Sequence, residues 1–415
     1  MEADTSILDA AVVGAGWAGL GVSHALSQAG LRHCVLERGR IGETWRTQRW
    51  DSFRMNTPNR VTVMPGDHYE GADPEGFLTR DGFVALLEQF AARNRLPIRT
   101  GSPVTELVQD EESGGYRLAT PDGTLRARNV IIASGSLNRP RRPAVADALP
   151  PGLIQVDASD YRNPAALPVG AVLVVGSGQS GGQIAEDLVL AGRRVYLATS
   201  RIRRFPRRYR GQDIVQWLLQ AGWMDVPRRD FVEPSGRIPP RPLLGAVHTI
   251  SLQSLSAQGV VLLGRFTGVA DSVRLTFAND LPDNMTFADE ASDKLKRKID
   301  DFIAQNGLQA PAAEPDPAEI VAPRLPNPLI RSLAPTGQGI TTVIWCTGFE
   351  GDYHWVRLPG VLDARGQPVH EESVANLPGI YFAGLDFAVT RRSGTIMAIA
   401  EEARRVVQHI TARRP

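Results

Sequence analysis

The chain has 415 residues, 46 Lys+Arg against 45 Asp+Glu, and two cysteines. That length calls for two or three domains with substantial cores, and the near-zero formal charge argues against an overall field for nucleic acid or an anionic membrane. Cys34 and Cys346 stand alone in separate strand-like contexts, which argues against a disulfide scaffold, a Cys-x-x-Cys redox centre or a thiolate metal site. The opening Met-Glu-Ala-Asp lacks the cationic start of a signal peptide, and no segment has the unbroken apolar length of a span; the expectation is a cytoplasmic protein with no membrane and no nucleic-acid partner.

Residues 9–37 read as strand, glycine turn, helix, strand and acidic end, the grammar of a dinucleotide-binding βαβ unit. In that grammar Gly14 makes the turn, Gly16 admits a pyrophosphate to the backbone, and Gly19 lets helix meet sheet. The helix opening at Trp17 points unpaired N–H groups and its positive end at the phosphates. Glu37, 23 residues past Gly14, is placed to accept both ribose hydroxyls and to repel a 2'-phosphate. Residues 39–67 then mix glycine, aromatic and polar residues without periodicity, as a ligand-wrapping loop does. A helix from Asp81 puts Phe83, Leu86, Leu87 and Phe90 on one face. Three short strands (104–109, 116–120, 124–127) form an expected meander that leads into an apolar strand, 129–133, ending at Ser134-Gly135. A proline-rich connection spans 139–151.

A second unit follows: strand 171–175, turn Gly176-Ser-Gly178-Gln-Ser-Gly181, helix 183–191 and strand 195–198. Counting 23 past Gly176 lands on Thr199, followed by Ser200 and Arg201. With no carboxylate there and an arginine beside a hydroxyl, this site is expected to prefer NADP to NAD. Residues 201–210 carry six arginines, read as phosphate neutralisation rather than a solvated face. Strands 260–263 and 273–277, an amphipathic helix 287–305 and a proline-broken loop 311–328 come next. Strands 341–346 and 379–383 and a helix 393–412 close the chain. The inferred fold class is α/β, with two Rossmann-like dinucleotide-binding domains. Residues 1–163 and 335–415 form one, and 164–334 are inserted in it.

At these residues the sequence resembles the class B flavin-dependent monooxygenases, over nearly the whole chain. The markers are the first triplet with Glu37, Gly42-Glu-Thr-Trp45, Arg54-Met-Asn56-Thr-Pro58, Ala133-Ser-Gly135, the second triplet with Arg201, Cys346-Thr-Gly348-Phe349 and Gly384-Leu-Asp386. The resemblance implies FAD on the first unit, at Gly14, Gly16, Ala18, Gly19, Glu37, Arg38, Thr44, Trp45, Val104, Ala133, Ser134, Gly135 and Asp386. It implies NADPH on the second, at Gly176, Gly178, Gln179, Ser180, Gly181, Ser200, Arg201, Thr347 and Gly348. The implied reaction transfers one oxygen atom of O2 to a small-molecule substrate through an oxygen adduct at flavin C4a. One departure concerns the interdomain fingerprint Phe-x-Gly-x-x-x-His: Gly152 and Tyr161 are present, but Val156 or Asp157 stands where histidine is expected. That bears on the oxygenation subclass more than on the cofactors.

Trp45 and its loop suit the apolar face of an isoalloxazine, and Asn56 its reactive edge, where an amide both donates and accepts without titrating. Asn56 is the candidate catalytic residue; capping the turn at Thr57-Pro58 is its bland alternative. Asp386 either meets the flavin ribityl chain or occupies a surface turn, and the helix start near Ser393 is placed to face the flavin pyrimidine. The Ala-Ser-Gly and Thr-Gly strand ends serve as hinges, as close-approach points, or both. Arg207 and Arg208 reach NADPH phosphates or an acidic substrate, or stay solvated. His248 reads as packing rather than a general base, and the scattered histidines show no metal spacing. An NADPH-dependent reductase or diaphorase without oxygen insertion, and a nucleotide-binding protein without turnover, share this fold. The isolated cysteines argue against disulfide reduction.

Overall fold

The computed structural model describes residues 7–112, 114–232, 238 and 240–413, so the acidic opening, residues 1–4, lies outside the described residues. Leu8–Val13 is the central strand of a nine-stranded sheet. It pairs in parallel with His33–Leu36 on one side and Gly123–Ile132 on the other, Val12 facing both Val35 and Ile131. Ile98–Arg99 extends the sheet beyond His33–Leu36, and Ile380–Phe382 lies parallel to the end of Gly123–Ile132. Leu8–Val13, His33–Leu36 and Ile380–Phe382 are largely buried, as apolar runs between covering helices must be. On one face the helix Trp17–Gln28 packs against the last helix, Ile399–Ala412. Their closeness depends on Gly21, where a Cβ would come within 2.5 Å of Ile399 Cγ1.

The second sheet has five parallel strands in the order Val261–Leu263, Val195–Ala198, Ala171–Val175, Ile340–Trp345 and Ile154–Asp157. This corrects the expected boundaries at 163/164 and 334/335. Ile154–Asp157 and Ile340–Trp345 both belong to the inserted unit's sheet, with Ile344 opposite Val174 and Val156. A short, β-branched and largely apolar run such as Ile340–Trp345 announces a buried strand but not which of two sheets receives it. The chain leaves the first sheet after Ile132 and returns after Trp345. Its two connections run side by side, Arg139–Pro140 pairing antiparallel with Phe349–Glu350.

Other spans differ in extent. The expected strands 124–127 and 129–133 are one ten-residue strand, Gly123–Ile132; its first half pairs antiparallel with Gly115–Thr120 and its second half joins the parallel sheet. The helix expected at 287–305 begins at Leu281, with Pro282 in its first turn where no N–H is missed. The closing helix starts at Ile399 after a 3-10 turn, Ile396–Ala398, so Ser393 and Gly394 lie in a loop ahead of it. A strand Phe266–Ala270 and helices Glu43–Thr47, Ile214–Gln220 and Leu252–Ala257 are additions to the sequence reading.

Candidate functional site

A cleft of about 480 Å³ opens where neighbouring parallel strands end, at Val13, Leu36, Ala133 and Ala383. Ligands of open α/β sheets sit at such carboxyl ends. Of the thirteen residues expected on the first unit, Gly14, Gly16, Ala18, Glu37, Arg38, Thr44, Trp45, Val104, Ala133, Ser134, Gly135 and Asp386 line it. Gly19 does not, because its part is internal.

The three glycines divide by what surrounds them. Gly14 has φ +108°, and a Cβ there would lie 2.5 Å from Ala133 O; a Cβ on Gly19 would lie 1.9 Å from Gly14 O. Both are required by the protein's own packing. Gly16 is different: its backbone is extended (φ −82°), open to any residue, and a Cβ would meet nothing within 4 Å. The second unit repeats the pattern. A Cβ on Gly176 would come 2.5 Å from Cys346 O and one on Gly181 1.8 Å from Gly176 O, whereas at Gly178, again extended (φ −73°), nothing lies within 4 Å. Space is kept at both second glycines, with helices starting at Trp17 and Gln179 directly behind, an arrangement with the room and the N–H groups to hold a phosphate.

Glu37 is buried at the cleft wall, where its two oxygens accept from Ala15 N–H (2.7 Å) and Gly39 N–H (2.9 Å). Each oxygen keeps a lone pair for a ligand hydroxyl. Trp45 is braced edge-on by Phe83 at 4.7 Å, and the Arg49 guanidinium lies 4.9 Å over its ring. Arg49 lines the cleft yet was not singled out in the sequence. Burial lowers its pKa to about 10, its side chain bonds to Gln48 O (2.7 Å), and no carboxylate pairs with it among the described residues. Only its place in the aromatic loop hinted at this.

At the opposite end, Asp386 reaches the cleft but is engaged by Arg241 of the inserted unit, Nη2 to Oδ1 at 2.9 Å. Gly394 (φ +81°) turns tightly beneath it, for a Cβ there would lie 2.2 Å from Asp386 Oδ1. Behind this turn Glu402, 3% exposed, accepts from Gly384 N–H at 3.1 Å, and burial pushes its carboxyl pKa up.

Asn56 does not line the cleft. Its Oδ1 accepts from Gln183 Nε2 (3.0 Å) on the helix Gln179–Leu190, and its carbonyl from Arg207 Nη1 (3.0 Å), so it stands at the seam between the units and not as a cap on Thr57-Pro58. In the second unit Ser177 Oγ accepts from Ser200 N–H (2.9 Å), fixing the glycine turn against the strand end that presents Arg201. Gly176, Gly178, Gln179, Ser180 and Gly181 form that turn and helix start, with Gln179 Oε1 accepting from Leu244 N–H (2.9 Å). Thr347 and Gly348 lie on the returning connection, where Thr347 donates to Arg141 O (2.6 Å) and Arg141 N–H to Gly348 O (2.9 Å).

The arginine run is corrected by its partners. Arg204 bonds Asp289 and Glu319, Arg207 bonds Asp213, Arg208 bonds Glu75 and Arg210 bonds Asp300. Those four are structural cations, and Arg207, 2% exposed, cannot reach a phosphate. Arg201 is exposed, stacks 4.3 Å over Phe287, and has no carboxylate partner among the described residues. Spacing alone does not tell a paired arginine from a free one. Asp157, one of the two residues that stand where the fingerprint histidine is expected, is held bidentately by Arg142 (2.9 and 3.1 Å), and Tyr161 donates to Asp187 (2.5 Å). His248 bonds Glu186 at 2.9 Å, which raises its pKa. No cluster of metal ligands occurs among the described residues, and no helix is long and apolar enough to cross a membrane.

The Arg207–Asp213 pair ties the seam together. Asp213 Oδ1 accepts from Arg207 (2.5 Å) and from Val215 N–H (2.8 Å) at the start of Ile214–Gln220. Asp213→Ala strands a buried guanidinium and is expected to lower unfolding free energy by about 3–5 kcal/mol, read by urea titration. A change under about 1 kcal/mol contradicts this account.

The chain is 29% identical over 407 residues to an uncharacterized CzcO-like oxidoreductase of Geobacillus kaustophilus, covering 97% of this chain and 98% of the relative. It is 30% identical over 191 residues to indole-3-pyruvate monooxygenase YUCCA1 of Oryza sativa, covering 46% and 47% of the two chains. Among solved structures, a flavin-containing monooxygenase from Stenotrophomonas maltophilia shares the fold, with TM-score 0.66, 19% identity, and 98% and 99% coverage. Residues 11–218, just over half of the chain, match the family described as pyridine nucleotide-disulphide oxidoreductase, and with the paired glycine cradles this places the chain in that family.

Proposed function

We propose that the chain is an FAD-containing, NADPH-dependent monooxygenase that adds one oxygen atom of O2 to a small organic substrate. The observation that carries the reading is the open space at Gly16 and Gly178, two phosphate cradles in one chain, the first beside a cleft fit for a large planar ring. In this reading the nine-stranded sheet holds FAD and the five-stranded sheet NADPH. FAD, when bound, supplies the capacity to take two electrons from a nicotinamide and to activate O2. The residues do the rest. The helix starts at Trp17 and Gln179 hold phosphates, and Glu37 orients a ribose. Trp45 shields a ring face from water, Arg49 offsets negative charge on it, and Asn56 offers an amide at the seam. Ser200 and Arg201 select the 2'-phosphate. Few of these roles need a general acid or base, and the carboxylate–imidazole pair on the cleft lining, Asp352 with His354 Nδ1 at 2.6 Å, is used in none of them.

The test is anaerobic reduction of the purified holoprotein with NADPH and with NADH, followed by turnover in ¹⁸O₂. The expected result is faster bleaching by NADPH and label in the product. Peroxide release equal to all NADPH consumed, whatever substrate is offered, would make the protein a reductase instead. A protein that NADPH never bleaches is a binding protein.

A further inference from the structure

Next to the Asp386 end of the cleft, four arginines converge from both units. Residues 224–228 of the inserted unit run alongside 389–392 of the host: Arg228 N–H donates to Val389 O (2.8 Å) and Arg391 N–H to Val226 O (3.0 Å). This pairing brings Phe231 and Phe387 edge to face at 5.2 Å. Arg391 lies over Phe231 (5.3 Å) and Arg241 over Phe387 (4.2 Å), while Arg228 Nη1 donates to Phe387 O (3.0 Å). Arg203 lies close enough for its charge to act on Arg391.

Among the described residues the charges there do not balance. Asp386 is the one carboxylate bonded to any of the four among the described residues, and it is taken by Arg241. Asp225 is held by Arg392 and Asp230 by Arg229. Arg203 has Pro240 O (2.9 Å), Arg228 has Phe387 O, and Arg391 has only the Phe231 ring. The surroundings register the excess: burial and then Arg203 lower the Arg391 pKa, and burial and then Arg228 lower that of His370 to about 4. All four guanidinia are half-buried, neither sealed in nor freely hydrated.

Phe387 adds a second, independent sign. Its φ is +56°, a left-handed conformation that a bulky side chain avoids, and it is held there by its N–H donating to Ser393 O (3.1 Å). Backbone strain of this kind gathers at ligand sites. A guanidinium stacked on a ring keeps its in-plane N–H groups free at the edge, in the fork that matches a carboxylate.

We propose that Arg203, Arg228 and Arg391, set around the Phe231–Phe387 pair, are the acid-recognising part of the substrate site, and that the substrate is a small aromatic organic acid. Calling the ligand a substrate rests on the monooxygenase reading; the anion site itself does not.

The test is calorimetric titration of the FAD-loaded protein with phenylacetate and with its neutral isostere phenylacetamide. Phenylacetate is expected to bind at least about tenfold more tightly, and added salt to weaken only the acid. Arg391→Gln and Arg228→Gln should each lower acid affinity about tenfold or more and leave the amide unchanged, with Arg391→Lys recovering part of the loss. Retained FAD and melting temperature check the fold of each variant. Equal binding of acid and amide, no measurable acid binding, or acid affinity unmoved in both Gln variants overturns the proposal. Competitive loss of phenylacetate binding under saturating NADP⁺ also overturns it, by giving the arginines to the nucleotide. Anaerobic bleaching and ¹⁸O incorporation on the same preparation judge the monooxygenase reading separately.

Discussion

Gly19→Ala should destabilise the apoprotein by about 3 kcal/mol or more, roughly 3 °C or more in melting temperature, whereas Gly16→Ala should melt within about 1 °C of the parent and yet bind FAD more weakly. The contrast follows from what each added methyl meets. At Gly19 it lands 1.9 Å from the Gly14 carbonyl oxygen, a backbone atom that cannot step aside without moving the strand from the helix. At Gly16 it meets nothing within 4 Å and the backbone is already in a region alanine accepts, so the folded chain is indifferent. Only a bound pyrophosphate notices. If it lies against that backbone, the methyl should weaken FAD binding by about 30-fold or more, measured by flavin fluorescence during reconstitution of the apoprotein. Unchanged affinity in Gly16→Ala would mean that the open space is not where the phosphates lie.

Arg201→Glu should reduce kcat/KM for NADPH roughly 10- to 100-fold while changing that for NADH less than about threefold. A guanidinium bound to a 2'-phosphate makes a charge-assisted hydrogen bond that NADH has no group to receive, so the loss is confined to one donor. Arg201 suits this because it is exposed and already oriented by stacking on Phe287, with no carboxylate among the described residues to compete for it. Arg208, seven residues on, is occupied by Glu75 at 2.9 Å. Arg208→Gln should therefore leave the NADPH-to-NADH ratio unchanged. Equal effects from the two substitutions would show that the whole run acts as a diffuse field.

What the sequence disclosed, and what it withheld, follows from how local each determinant is. The first glycine triplet, Glu37, Trp45 and Ala133-Ser134-Gly135 were legible because each depends on a strand, a turn and the residues beside them, and all of these but Gly19 line the cleft. The sheet that Ile340–Trp345 joins was not legible. Its apolar face matches either core, and the choice depends on Ala171–Val175 and Ile154–Asp157, more than 150 residues away. The arginine run misled for a related reason: charge is visible in sequence, but Asp213, Asp289, Asp300, Glu75 and Glu319, which consume it, come from four other segments. Asp386 illustrates the same limit. Its position after a strand foretold the cleft, while its bond to Arg241 required knowing that the inserted unit folds back over it.

The antiparallel pairing of Arg139–Pro140 with Phe349–Glu350 has a mechanical consequence. Two separate tethers would let one sheet slide, tilt or turn against the other; zipped together by Arg141 N–H to Gly348 O and by Arg139 to Glu350, they behave as a single pivot. A swing about such a pivot carries Gln183 and Arg207 along arcs relative to Asn56, so opening would loosen the Asn56 hydrogen bonds at the seam while the glycine cradles, each built within its own sheet, keep their shape.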